Sequence, residues 1–212
     1  MNYDIDVSQI PYFSSFVDFQ GKAQPQGTDL VHGPIPLIDE ALKGIQSGYR
    51  QCFRALPPDL SQHHILCETY DFLGIDVLGE QHVGDIFTDL KACKTDYELE
   101  YKRYLAIKGN KSKARDAAFK LLYLILTEEF KNENEDCIKV FNAVLFVVSH
   151  SATFRWKTRT VVRAAYQERF VVTLKQRARL DGWLKGDTED DVDADVTTTD
   201  ESSDEYYNSD YS

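Results

Sequence analysis

Apolar side chains recur every three or four residues from residue 36 to about residue 149, which is the spacing of amphipathic helices. The first such stretch begins after Pro36 and ends at the pair Pro57-Pro58, because proline cannot continue a helix. Its apolar positions are Leu37, Ala41, Ile45, Tyr49 and Phe53. Further helices are predicted at about 61–73, 80–93 and 96–108. The pattern therefore indicates an all-α chain.

Two glycines, Gly44 and Gly48, lie four residues apart in the first predicted helix. A glycine inside a helix costs about 1 kcal/mol relative to alanine, so its presence there needs a reason. We expect the backbone on that face to pack closely against a neighbouring element.

The two most apolar stretches lie at about 113–131 and 135–149. The second contains the run Cys137–Val148, whose polar members are Lys139 and Asn142. Helices that are apolar on most sides are buried, and a short loop joins antiparallel neighbours. The sequence thus predicts a multi-helix bundle around a central apolar antiparallel helix pair, within a helical domain at 36–186.

The first 35 residues contain too many prolines and glycines for a long regular element. They also contain apolar residues that a free linker would lack, namely Ile10, Tyr12, Phe13, Phe16 and Phe19. We interpret residues 1–35 as an irregular, extended N-terminal arm that packs on its own body or on a neighbouring subunit. The second alternative would make the chain a homo-oligomer.

Residues 150–186 form a basic segment that fits two structures. Apolar and basic residues alternate with period two around Phe154 and again around Phe170, which favours a basic β-hairpin at 153–180. The would-be turn Ala164–Glu168 contains no turn-forming residue, and this favours one long helix instead. Both alternatives remain open at this stage.

The net charge of −11 divides unevenly along the chain. Residues 187–212 contain eleven acidic residues and no lysine or arginine, whereas residues 150–186 contain nine lysines and arginines against Glu168 and Asp181. Residues 1–149 contain 15 basic and 22 acidic residues. Composition of this kind predicts that 187–212 is a disordered acidic tail.

The tail has three candidate roles. It could keep the protein in solution, mask the basic segment as an intramolecular polyanion, or dock on a protein partner through its tyrosines. Four hydroxyl residues have an acidic residue three positions later, which suits an acid-directed kinase: Thr188, Thr197, Thr198 and Ser202. Phosphorylation would add about 1.5–2 negative charges at each site.

The basic segment carries the strongest functional signal. Arginine pairs with phosphate in a bidentate manner, and aromatic faces stack on exposed bases. The candidate nucleic-acid-binding residues are Arg155, Lys157, Arg159, Arg163, Arg169, Lys175, Arg177 and Arg179, with Trp156 and Tyr166 as stacking residues. A second basic cluster around Gly109-Asn110 is predicted to be a loop between helices: Lys108, Lys111, Lys113 and Arg115. It lacks the glycine spacing of a phosphate-binding loop.

Other chemistry is weakly indicated. The chain has no G-x-S-x-G, no H-E-x-x-H and no glycine-rich dinucleotide turn, so we expect a non-enzyme without a cofactor. His63 and Cys67 lie one helical turn apart, but no second pair has ligand spacing, so no metal site is expected.

The four cysteines are widely separated, the start does not resemble a signal peptide, and the longest apolar run is too short for a membrane span. These features predict an intracellular protein, cytoplasmic or nuclear, with no membrane association.

Two functions fit these patterns. The first is a non-enzymatic protein that binds nucleic acid, RNA rather than duplex DNA, or another polyanion, and that self-assembles. The second is a protein–protein interaction adaptor, whose arginines pair with acidic surfaces and whose acidic tail docks or regulates. The two hypotheses differ in what they expect of the arginines. Binding of nucleic acid requires exposed arginines, whereas the adaptor hypothesis expects them to be paired with acidic surfaces.

Overall fold

A computed structural model describes residues 10–23, 33–93, 100–128, 130 and 133–183; for 23, 93, 100–110 and 133–135 it describes the backbone alone. The helices in these residues are α1 Pro11–Ala23, α2 Ile38–Ser47, α3 Arg50–Ala55, α4 Leu60–Leu73, α5 Val83–Leu90, α6 Glu100–Thr127, α7 Glu133–Ser149, α8 Trp156–Arg169 and α9 Leu174–Asp181. A 3₁₀ turn, Lys91–Cys93, follows α5. The described residues contain no strand, so the all-α prediction is confirmed.

Helices α6 and α7 supply the centre of the bundle. Every residue of α6 from Leu121 to Ile125 is buried, which requires neighbours on all sides of the helix. Helix α7 buries Val140, Val144 and Val147. Both helices pack on α5 and α8, and α6 contacts those two more extensively than it contacts α7. The remaining helices surround this core.

The first predicted helix is divided into α2 and α3 at Gly48, whose φ of +92° is a left-handed conformation that favours glycine. The close packing expected at Gly44 is present, because an added Cβ atom would overlap the hydroxyl of Tyr70. That hydroxyl donates a hydrogen bond to the carbonyl of Ala41 at 3.1 Å and lies 3.4 Å from the Sγ of Cys52. Gly44 therefore lets α2 approach α4.

Helix α1 corrects the prediction of an irregular N-terminal arm over residues 11–23. The proline that argued against helix there, Pro11, occupies the first helical position, where its missing N–H is not needed and its fixed φ suits the helix. The segment packs on its own body: Ile10 is 1% exposed, and the ring of Tyr12 lies 4.3 Å from that of Phe72. Residues 1–9 and 24–32 lie outside the described ranges.

The basic segment forms neither a hairpin nor one long helix. Helix α8 ends at Arg169, residues 170–173 are extended, and α9 begins at Leu174. Thr173 caps α9, because its hydroxyl accepts a hydrogen bond from the backbone N–H of Gln176 and the Gln176 side chain accepts one from the N–H of Thr173. This capping box starts a new helix and explains the interruption.

The predicted basic loop around Gly109-Asn110 is also corrected, because α6 continues through it without a break. A Gly-Asn pair disfavours helix by only about 1–2 kcal/mol in total, and the burial of the apolar residues that follow outweighs this cost. None of the helices in the described residues is both long and apolar enough to cross a membrane.

Candidate functional site

Arg159 lies inside the protein, although the sequence places it among the nucleic-acid-binding residues. Its side chain is 3% exposed, and its Nη1 lies 3.4 Å from the carbonyl oxygens of Val148 and Trp183. The arginine therefore joins the end of α7 and the end of α9 to α8. In this position the guanidinium is shielded from solvent, whereas the sequence predicts that it contacts nucleic acid.

Two further candidates, Arg163 and Arg169, are engaged in ion pairs. Arg163 donates to the carboxylate of Asp181 at 2.8 Å, which fastens the last residue of α9 to α8. Arg169 pairs with Glu128 at 3.0 Å, and both partners are partly exposed. Pairs of this kind contribute about 0–1 kcal/mol each and position the elements that carry them.

The two predicted stacking residues differ in accessibility. Tyr166 is 3% exposed, and its ring lies 4.8 Å from that of Phe170 and 5.8 Å from that of Phe141. It is a core residue and cannot stack on a base. Trp156 is half-buried at the start of α8.

The residues of the second predicted basic cluster lie on α6, and the described side chains among them have different surroundings. Lys113 pairs with Asp89 of α5 at 2.9 Å. Arg115 donates from Nε to the carbonyl of Thr153 at 2.8 Å. Lys111 is half-buried, and the side chain of Lys108 lies outside the described part. The four residues therefore do not form the loop that the sequence predicted.

An arginine cluster, which we define as Arg54, Arg115 and Arg155, forms where α3, α6 and α8 meet. Burial, and then the positive charges of Arg54 and Arg115, lower the pKa of Arg155 below its usual value. The bond from Arg115 to Thr153 ties that arginine to a residue two positions before Arg155, the N-cap of α8. Lys157 is half-buried in the first turn of that helix. The cluster concentrates positive charge from three elements.

The basic residues of α9 are exposed, in contrast to most of those on α8. Lys175, Arg177 and Arg179 all face solvent, and the guanidinium carbon of Arg179 lies 5.5 Å from the ring centre of Phe141 on α7. Lys175 and Arg179 share one face of the helix because they are four residues apart. That face is directed towards α7.

Exposed apolar residues lie beside these charges. Val171 is 100% exposed, Leu174 is 86% exposed and Ile138 is 68% exposed. Between them is a groove of about 370 Å³, which we call the α7–α9 groove, lined by Cys137, Ile138, Phe141, Tyr166, Phe170, Val171 and Gln176. A second hollow of about 210 Å³, on the other side of Phe170, shares Cys137 and Phe170 with it and includes Phe130 and Arg169. The two hollows are adjacent, and basic side chains of α8 and α9 lie next to them.

Sequence reasoning did not find this groove. The run Cys137–Val148 was assigned wholly to the core, and Phe170 and Val171 were assigned to a helix or a strand. One signal was available: the spacing Thr173…Gln176 is that of a capping box, which marks a helix start and therefore a break after Arg169. That break is what leaves Val171 outside any helix.

The buried titratable groups are structural. His63 is 1% exposed; its Nδ1 lies 2.8 Å from the carbonyl of Asp59, and burial lowers its pKa. Burial raises the pKa of the Cys52 thiol to about 12 and also raises that of Cys67, so both thiols are unreactive at neutral pH. Among the described residues, no group of three or more His, Cys, Asp or Glu could hold a metal ion.

Comparison with models of known protein families, with curated protein sequences and with solved structures finds no match. We therefore infer function from the geometry of the site alone.

Proposed function

We propose that this protein is a protein–protein interaction module that binds acidic peptide segments in the α7–α9 groove. The observation that carries the proposal is the complete exposure of Val171, together with the exposure of Ile138, in the lining of a groove that also contains three aromatic residues. Exposed apolar groups that cluster around a concave surface with a polar rim are typical of interaction sites. Single exposed apolar residues would carry no such meaning.

The basic rim defines the chemistry of the ligand. Arg169 lines the second hollow, and the guanidinium carbon of Arg179 lies 5.5 Å from the ring centre of Phe141, which lines the groove. Lys175 is exposed and precedes Gln176, another lining residue. Apolar contacts in the groove would supply most of the affinity, whereas the positive rim would select negatively charged segments and speed their association. A ligand that fits therefore combines aspartate or glutamate with an aromatic or branched aliphatic side chain.

This proposal favours the adaptor over the nucleic-acid-binding hypothesis for the groove, because two arginines in the middle of α8 are internally engaged. Arg159 is buried, and Arg163 is ion-paired with Asp181. The side chains that would be left to contact phosphate are split between the N-terminus of α8 and α9. A single continuous phosphate-binding surface along the basic segment is not formed.

Selection from a random library of 12-residue peptides tests the proposal. We expect peptides selected on the full chain to be enriched in acidic and aromatic residues, and to bind a Val171→Asp variant at least about tenfold more weakly, because an aspartate there repels acids and lacks the apolar contact. Val17→Asp is the matched control, since Val17 is 42% exposed on α1. Selected peptides that bind both variants equally would refute the groove as the site.

Binding of single-stranded RNA is a second candidate, favoured by the arginine cluster. Arg54, Arg115 and Arg155 are close enough for their positive charges to interact, and such a concentration of positive charge favours phosphate; Trp156, which follows Arg155, is half-buried. We expect Arg155→Gln to weaken binding of a labelled single-stranded RNA about fivefold and to lower the slope of log affinity against log salt by about one. Lys22→Gln, on exposed α1, should change neither. If the two substitutions weakened RNA binding equally, the arginine cluster would be excluded as the RNA-binding site.

A further inference from the structure

We propose that the acidic tail of this chain, residues 187–212, is itself a ligand of the α7–α9 groove, with its tyrosines Tyr206, Tyr207 and Tyr211 as the apolar anchors. The inference rests on the proposed function to the extent that both use the same groove. It adds an intramolecular competitor that an external peptide has to displace.

The composition of the tail matches the ligand that the groove selects. It contains eleven acidic residues, no lysine or arginine, and three tyrosines within its last seven residues. The side chains of Lys175 and Arg179 are exposed beside the groove, since Lys175 precedes Gln176 and Arg179 lies over the ring of Phe141. Aromatic side chains between carboxylates can enter an apolar groove while the neighbouring acids remain beside the arginines.

The point at which the chain leaves the described structure favours this contact. The carbonyl of Trp183 is held 3.4 Å from Nη1 of Arg159, and Asp181 is paired with Arg163. The end of α9 is thereby fixed against α8, and the chain continues from there. Helix α9 has eight residues and is about 12 Å long, so the groove near its first turn lies within a short distance of that point.

The length of the following segment is sufficient. Residues 184–206 number 23, and a chain of 23 residues can span up to about 75 Å. The tail could therefore pass back along the basic side of α9 and reach the groove. A tethered ligand of this kind has an effective concentration of about 1 mM, so even a dissociation constant of about 0.2 mM would leave the groove about 80% covered.

Cys137 offers a direct readout because it lines both hollows beside Phe170 and is partly exposed. The rate of its alkylation by iodoacetamide would be measured by peptide mapping on the full chain at low salt. We expect a variant with Tyr206→Ser, Tyr207→Ser and Tyr211→Ser to react about three- to fivefold faster at Cys137 than the unmodified chain. Thr197→Ala with Thr198→Ala, in the same tail, is the matched control and should leave the rate unchanged.

The reactivity of the buried cysteines and the effect of dilution distinguish a tail bound in its own groove from unfolding and from binding by a second copy. Cys52 and Cys67 are buried, so their continued protection shows that a faster reaction at Cys137 does not arise from unfolding. If Cys137 remains protected from alkylation after hundredfold dilution, the contact is intramolecular. If dilution removes this protection, the groove binds the tail of a second copy, and the proposal is overturned. Equal rates in the unmodified and tyrosine-substituted chains would also overturn it, and would leave the peptide-binding test of the groove unaffected.

Discussion

Substitution of Gly44 by alanine is expected to lower the free energy of unfolding by about 2 kcal/mol. The added Cβ atom would overlap the Tyr70 hydroxyl and lie 3.0 Å from the Sγ of Cys52. Tyr70 is completely buried and cannot move aside without losing its hydrogen bond to Ala41. Steric strain of about 1–3 kcal/mol and the lost hydrogen bond, about 1 kcal/mol, exceed the helix-propensity gain of about 1 kcal/mol.

Chemical denaturation of the variant measures this effect, and Gly84→Ala is its control. Gly84 also lies inside a helix, α5, but an added Cβ atom there would meet nothing within 4 Å. That substitution should therefore stabilise the protein by up to about 1 kcal/mol through helix propensity alone. If both alanines stabilised the protein, the close approach of α2 to α4 would be contradicted.

Replacement of Arg159 by alanine is expected to destabilise the fold by about 2–4 kcal/mol, because it leaves a cavity and removes the donor from a buried and a partly buried carbonyl group. These carbonyls belong to Val148 and Trp183, so the end of α9 would lose one of its attachments to the body. Arg177→Ala is the matched control from the same basic segment. Arg177 is exposed on α9, and its loss should change stability by less than about 0.5 kcal/mol.

The same denaturation experiment decides the orientation of α8. A large difference between the two arginine variants would place Arg159 in the interior, as the structure does. Similar stabilities would mean that Arg159 lies on the surface, and the case against a continuous nucleic-acid surface on α8 would fail with it.

The helical core could be predicted from the sequence because its signal is local. The apolar stretches that became α6 and α7 follow from the periodicity of their side chains. N-cap preference likewise accounts for Asp59 at the start of α4, where its side chain accepts a hydrogen bond from the backbone N–H of Ser61 at 3.0 Å. Periodicity and N-cap preference depend on residues that are close in the sequence, so they can be recognised without the structure.

The functional site could not be predicted from the sequence because it depends on which faces of the helices pack against each other. Arg159 and Arg177 look equivalent in the sequence, yet one is buried against two carbonyl groups and the other is exposed. The period-two alternation around Phe170 suggested a strand, whereas tertiary packing uses Phe170 as the wall between two hollows. Gly109-Asn110 was interpreted as a helix end, and the burial of the following turns overrides it. This last error concerns a local preference of about 1–2 kcal/mol, which packing outweighs.

The most direct test of the groove is a titration of a fluorescein-labelled peptide ESSDEYYNSDYS, residues 201–212, into the full chain carrying the three Tyr→Ser substitutions in its own tail. We expect saturable binding with a dissociation constant of about 0.1–1 mM, weakened at least about tenfold by Val171→Asp and unchanged by Val17→Asp. Equal affinity for the two aspartate variants, or no saturable binding at low salt, would contradict the α7–α9 groove as the binding site.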